Sequence, residues 1–487
     1  MIPAQGHMES LSVVFTGLFY TFSVGRAIAA GAEPIVAERF SPERRVRALA
    51  SRLPCRRSAM RTQLELHRPP RLRRLRSAAV AGFLAITTAA CGHVPPHLTL
   101  PTLEVGDPTF AATITGYAEA AVVGGNRIEV LQNGDEIFPA KLKIINAATK
   151  TINYAQYVFE EGQPADDVAR ALSERCRAGV QVNVLVDAVG AMAMPAGQRQ
   201  IMTDAGCRVE TFRPLRPWSL DRANNRNHRR ILVADGRVGI TGGSGTSGKW
   251  GGNGRTDGHW RDTDVLVEGP VVAQLQGAFV ENWLEATGVA LGGDDYFPQP
   301  QEARGTVRAQ AVRSSPAGGS VAMYTMFLLA VASAQRSIHI TNPYFVPDDK
   351  MIETLVQTAH RGVRVVLILP GAIDHNLVRQ ASRSELGRLL RAGIEVYEYR
   401  PALLHAKTMV IDGIWSTVGS TNLDRRSFAL NDELNLVVYD RAIARRLDEI
   451  FAQDLALSRQ VTYEDWRRRG FVGRLLELLA VPIKSQM

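Results

Sequence analysis

His405 is followed by Lys407 and Asp412, and His228 by Arg230 and Asp235, so one pattern of histidine, base and aspartate occurs twice, 177 residues apart. Glycine turns follow both: Gly419-Ser420-Thr421-Asn422 and Gly242-Gly243-Ser244-Gly245. An imidazole can serve as nucleophile or proton carrier near neutral pH, and an ammonium, guanidinium or amide beside it can hold an oxyanion. Alternation along a strand predicts that His405 and Lys407 share one face, as do His228 and Arg230. Asn422 lies past a glycine turn, from which its amide can return to the same spot. Together these groups make a phosphate site with a nucleophile or acid inside it. A lone His-x-Lys on a strand is most often a solvated edge, but a duplicated pattern with matched glycines is not. Asp235 and Asp412 each sit five residues beyond their base. That odd spacing places them on the opposite strand face, in a structural role.

The elements that carry these residues also repeat. Thr151–Phe159 and Ser337–Phe345 read as strands. Helices follow, with Val168, Leu172 and Cys176 on one face of the first, and Ile352, Leu355, Val356 and Ala359 on one face of the second. Gly179 and Gly362 end them, and the apolar strands Val180–Val186 and Val363–Leu369 come next. Continuous apolar strands alternating with helices imply sheets buried on both faces. The offset between halves is 186 residues at Ile152/Ile338, 183 at Gly179/Gly362 and 177 at His228/His405, the drift that loop insertions produce. The expectation is an α/β protein of two similar domains, 105–300 and 301–487.

The duplicated pattern with its glycine turns resembles the phospholipase D superfamily. The flanks Leu404–Gly413, Gly419–Phe428, Leu430–Leu434, Asn342–Asp348, Asp374-His375 and Trp260–Thr263 resemble bacterial cardiolipin synthases. The resemblance implies two α/β/α domains about a pseudo-two-fold axis, with both histidines at their interface. It implies that His228 attacks phosphorus, forming a phosphohistidine, and that His405 protonates the leaving alcohol and deprotonates the incoming one. Lys407, Arg230 and Asn422 would hold the non-bridging oxygens, and no metal or cofactor would be needed. It also implies an acid behind each histidine about one strand downstream: Glu433 for His405 and Asp262 for His228.

The first half departs from the family at two positions. Arg230 stands where lysine is usual, and Gly245 where asparagine is usual. A guanidinium keeps the charge but binds differently from an ammonium, and a missing amide would leave room for it. Ser244, Thr246 or Ser247 could replace the absent donor, and Ser420, Ser244 and Thr246 are candidate substrate-binding residues. The loop Gly245–His259 is six residues longer than its counterpart and could shape the substrate entrance. The leading function is phosphatidyl transfer, making cardiolipin from phosphatidylglycerol. Alternatives are phospholipid hydrolysis, a nuclease, and a weakened lipid-binding module.

Charge and the N-terminus bear on where this happens. Of a net charge of +9, all of it lies in residues 1–90, with 14 Arg, no Lys and 5 Glu. The balanced remainder lowers the expectation of nucleic-acid binding. Arg71–Arg76, the apolar run from Ser77 to Ala90 and then Cys91 read as a positive n-region, an h-region and a cut site. Thr88-Ala89-Ala90-Cys91 resembles a bacterial lipobox, which would make Cys91 a lipidation site; an uncleaved anchor is the alternative. Residues 91–104 then read as a tether. These features point to a monomer at the membrane of a bacterial cell envelope, acting on membrane phospholipids. Four cysteines exclude a disulfide-built scaffold, and a pair between Cys176 and Cys207 stays open.

Overall fold

The computed structural model describes residues 99–468, apart from 102, 216–223, 257, 317–318 and 373–375, with the backbone alone for 376–381. The extension 1–90, the lipidation candidate Cys91, most of the tether, and Asp374-His375 lie outside the described residues. The first repeat supplies β1 (Val123–Gln132), β2 (Thr151–Gln156), β3 (Gln181–Asp187), β4 (Arg208–Phe212), β5 (Ile231–Ala234), β6 (Val238–Gly242) and β7 (Thr263–Glu268). The second supplies β8 (Val307–Ser314), β9 (Ser337–Thr341), β10 (Arg364–Pro370), β11 (Glu395–Tyr399), β12 (Thr408–Ile411), β13 (Trp415–Gly419) and β14 (Glu433–Tyr439), and then adds β15 (Ser458–Val461).

All of these strands join one sheet, in the order β15-β11-β10-β9-β12-β13-β14-β8-β1-β7-β6-β5-β2-β3-β4. Outward from the β8–β1 pair, both directions meet the same series of counterparts. β1 and β8 are antiparallel, with Val123 facing Ala309 and Asn126 facing Val307, so a pseudo-two-fold axis passes between them. β2, β3 and β4 are mutually parallel, as are β9, β10 and β11. Parallel neighbours need a crossover, and helices such as Gln163–Arg177 and Asp349–His360 provide it.

Sequence chemistry explains these elements. β2 is buried along its whole length, and β3 and β10 at every residue but the first. The apolar run of β10 suits a strand covered by helices on both faces, and Asn153 and Asn183, polar residues buried in β2 and β3, are hydrogen-bonded to each other. Gly179 and Gly362 take positive φ values of 88° and 92° just past their helices, where other residues would be strained. Asp348 caps its helix by accepting a hydrogen bond from the Met351 amide at 2.9 Å. Cys176, on the apolar face of its helix, is disulfide-bonded to Cys207, with Cα atoms 5.5 Å apart.

Three large apolar clusters fill the layers. One lies within the first repeat, around Ile137, Leu172, Val184 and Trp250. A second lies in the second repeat, around Met323, Leu355, Leu367 and Trp415. It also takes in Val105, Phe110, Ile114 and Ala118, from a segment that the sequence boundary at 105 assigned to the first domain. Those residues sit on the helix Pro108–Ala118, which packs on the second-repeat helix Ala322–Ala332. The third cluster is built from both repeats, joining Leu275 and Phe279 to Leu434, Leu436 and Leu447. Among the described residues, no helix is long and apolar enough to cross a membrane.

Candidate active site

His228 and Arg230 do not lie in β5, nor His405 and Lys407 in β12; each strand begins one residue after the base. The expected strand face is instead an extended approach that pairs with the opposite repeat. Asn227 bridges Asp432 and Leu404 bridges Arg261, both in parallel register. The His228 amide donates to the Asp432 carbonyl at 2.9 Å, and the His405 amide to the Arg261 carbonyl at 2.7 Å. Each histidine is therefore laid beside the residue that precedes the other repeat's acid.

This geometry corrects the expected pairing of acids. His228 Nδ1 lies 2.9 Å from Glu433 Oε1, and His405 Nδ1 lies 2.7 Å from Asp262 Oδ2. The acid behind each histidine comes from the opposite half. Spacing within one repeat does not reveal this, because the approach segments cross the seam instead of closing on their own repeat. With Nδ1 tied to a carboxylate, Nε2 of each ring is the atom left for substrate.

The two bases hold matching positions. Arg230 Nη1 donates to the carbonyl of His228, and Lys407 Nζ to that of His405 at 2.6 Å. Lys407 Nζ also lies 3.0 Å from both nitrogens of the His405 ring. The Arg230 guanidinium sits 5.7 Å from the Tyr157 ring centroid, and its buried Nε has no partner among the described residues. Asn422 is buried, and its Oδ1 has no partner among the described residues. Of the two, the Arg230 Nε–H is a donor that an oxygen of a bound phosphodiester can accept from.

Electrostatics separate the two half-sites. Burial, then Arg230, Lys407 and His405, push His228 well below the usual histidine range. Burial first and Lys407 second push His405 down to about 4, against the pull of Asp262. Burial raises Glu433 to about 8, although Ser420 and Arg230 oppose it. Burial acts the same way on Asp262, but His405, Lys407 and the Trp250 indole outweigh it and hold it well below the carboxylate range. One half-site thus backs its histidine with a firm anion and the other with an acid inclined to keep its proton.

The remaining residues singled out in the sequence take defined places. Asp235 and Asp412 sit at turns with φ of 53° and 56°. Asp235 accepts from the amides of Thr149, Lys150 and Thr151, and Asp412 from those of Gln335, Arg336 and Ser337. Ser420 Oγ donates to Glu433. Ser244 is turned away into a buried group with Lys141 and Asp264, and Thr246 pairs with Tyr154. The room expected beside Gly245 is filled, since a Cβ there would meet the Trp250 ring at 2.8 Å. Trp250 and Trp260 come from the long loop and its end, and each ring centroid lies 5.2 Å from that of His405. Sequence reasoning passed over Trp250 and Tyr157. A lone tryptophan in a glycine-rich loop was the available signal for the first.

Residues 142–281 and 328–455 match the family described as cardiolipin synthase, PLD-like domain. The chain belongs to this family. It is 35% identical to cardiolipin synthase A of Pseudomonas entomophila over 367 residues, 74% of this chain and 76% of that one. It is 34% identical to the major cardiolipin synthase of Bacillus subtilis over 360 residues, 72% and 73% of the two chains. Among solved structures it resembles phosphatidylserine synthase of Haemophilus influenzae, with a TM-score of 0.60 at 14% identity. That likeness covers 78% of this chain and 100% of the other, and bears on the fold.

Proposed function

We propose that this protein is a phosphatidyltransferase that makes cardiolipin from phosphatidylglycerol through a phosphohistidine. The observation that carries the reading is the pair of buried histidines, each backed by the other repeat's acid and flanked by a fixed cation. His228 Nε2 attacks the phosphorus of a phosphodiester, and the bond to the leaving alcohol breaks. His405 gives that oxygen a proton, then takes one from the incoming alcohol as its oxygen displaces His228. Splitting the displacement in two makes each step easier. Arg230, Lys407 and Asn422 hold the non-bridging oxygens as charge builds. A bound phosphodiester anion also offsets the push of Lys407 on His405, lifting the imidazole toward the protonated form that the first step needs.

Family membership supports lipid substrates, and two further features support an envelope location. The basic and apolar run ending at Cys91 has the form of a lipoprotein signal. The Cys176–Cys207 bond is of the kind that persists in oxidising compartments. Purified protein incubated with phosphatidylglycerol vesicles, with lipids read by mass spectrometry, tests the activity. Cardiolipin should form and vanish in His228→Ala. Phosphatidic acid as the product would make the enzyme a hydrolase, and no turnover of any phospholipid would leave a lipid-binding module.

A further inference from the structure

The two repeats solve one problem with different residues. At the offset of 177, Gly243 corresponds to Ser420 and Gly245 to Asn422. In the second repeat Ser420 Oγ donates to Glu433, steadying the acid behind His228. The first repeat has no room for such a hydroxyl, because a Cβ on Gly243 would lie 2.2 Å from Asp262 Oδ1. Its donor comes from the long loop instead. Trp250 Nε1 lies 2.8 Å from Asp262 Oδ2, the same oxygen that faces His405 Nδ1. The indole is 1% exposed, stands edge-on to the His405 ring, and occupies the space over Gly245.

The loop is built to deliver it. Trp250 ends a single helical turn, Gly248–Trp250, capped by Ser247 Oγ accepting from the Lys249 amide at 3.3 Å. A Cβ on Gly134 would meet the Trp250 carbonyl at 2.0 Å, and one on Gly162 would meet the Gly248 amide nitrogen at 2.5 Å. Two glycines on other elements are therefore needed for the loop to close down.

We propose that Trp250 is a positioning residue for the His405–Asp262 pair, doing in the first repeat what Ser420 does in the second. The substitution is not neutral. A serine hydroxyl can donate or accept, so it fits a carboxyl group in either protonation state; an indole N–H only donates. Donation by Trp250 therefore favours Asp262 as an anion aimed at His405, which suits the histidine that carries protons. The proposal rests on the reading of His405 as that proton carrier, and its test separates the two.

The test is Trp250→Phe, which keeps a ring in the space and removes the N–H. Two quantities are read: the pH–rate profile on phosphatidylglycerol, and the titration of His405 by NMR of protein labelled at histidine. The expected result is a fall in kcat of about 10–100-fold with KM little changed, the scale for a hydrogen bond to a charged group. The apparent pKa of the His405–Asp262 pair should also move upward, because a donor that favours the carboxylate is gone. Trp283→Phe is the control, a buried indole in the shared core whose N–H has no partner among the described residues. It should move neither quantity. If Trp250→Phe keeps the parent kcat and titration, or loses rate with no shift in either profile, the proposal falls. If the parent turns over no phospholipid, the proposed function fails, and the His405 titration alone decides the role of Trp250.

Discussion

The half-site at His405 and the half-site at His228 are built on one template, yet they hold their protons differently. Both histidines are buried, both have Nδ1 on a carboxylate, and both have a base donating to their own carbonyl. Behind His405, Asp262 is held as an anion by the ring, Lys407 and an indole. Behind His228, Glu433 is raised by burial to about 8, although Ser420 and Arg230 oppose it. Symmetry of fold therefore does not impose symmetry of chemistry. Two equivalent histidines can become a nucleophile and a proton carrier through differences in what touches their acids.

The largest effects should come from the acids. Asp262→Asn removes a firm anion and is expected to lower kcat by about 10²–10⁴-fold, the range seen when a histidine loses its orienting carboxylate. Glu433→Gln replaces an acid already inclined toward its neutral form, and should lower kcat by only about tenfold near pH 7. Equal losses in steady-state assays would break the comparison.

The bases come next. Lys407→Arg should lose about 10²-fold, since a longer planar group must fit against the His405 ring where an ammonium now sits. Arg230→Lys should keep most of the rate, because a shorter point charge fits where the guanidinium lies. A larger loss for Arg230→Lys than for Lys407→Arg, measured as initial rates of transfer, would show that the first half-site has been retuned around arginine.

The smallest effects are on stability. Glu433 has its proton affinity raised in the folded chain, from 4.5 to about 8. The folded state then binds more protons than the unfolded one between those values, and stability falls as pH rises through them, by at most about 1.4 kcal/mol per pH unit. His405, lowered from 6.5 to about 4, acts in the opposite sense and adds stability as pH rises from 4 to 6.5. The two oppose each other up to about 6.5, and above it Glu433 alone remains. Urea melts of Glu433→Gln should therefore lack the decline of the parent between about pH 6.5 and 8. The Cys176–Cys207 bond has no cysteine counterparts in the second repeat, where Ala359 and Ile394 stand at the matching positions. Cys176→Ser should cost about 2–4 kcal/mol in the same melts, and reductant should do the same to the parent.

Much of this was legible from the sequence. The repeat exposed the duplicated α/β plan, since strand–helix–glycine–strand recurs with small drift. The motif pointed to the histidines and bases, but the odd spacing that put Asp235 and Asp412 on the opposite strand face did not foresee that each lies just past its strand, at a turn. The crossed acids were not legible, because nothing local records that Asn227 will lie beside Asp432 rather than beside a residue of its own repeat. The helix Pro108–Ala118 was missed for the same reason: Phe110 and Ile114 mark an apolar face but not which core receives it. Trp250 escaped because its neighbours Gly248, Gly251 and Gly252 read as loop. Only the fit against Gly134, Gly162 and Gly245 shows that the loop is a fixed insert.

The crossing of the acids has a consequence for how such a chain can diverge. A change near Asp262 is felt at His405, and a change near Glu433 at His228, so the two copies cannot drift as independent units. A chimera that takes one whole repeat from a relative brings together strangers at both histidines at once. A transplant that moves the Asp262 region with the His405 region keeps one working pair intact, although its pieces lie 143 residues apart in the chain. The natural module of exchange is therefore not the repeat that the eye picks out, but the pair that spans the seam.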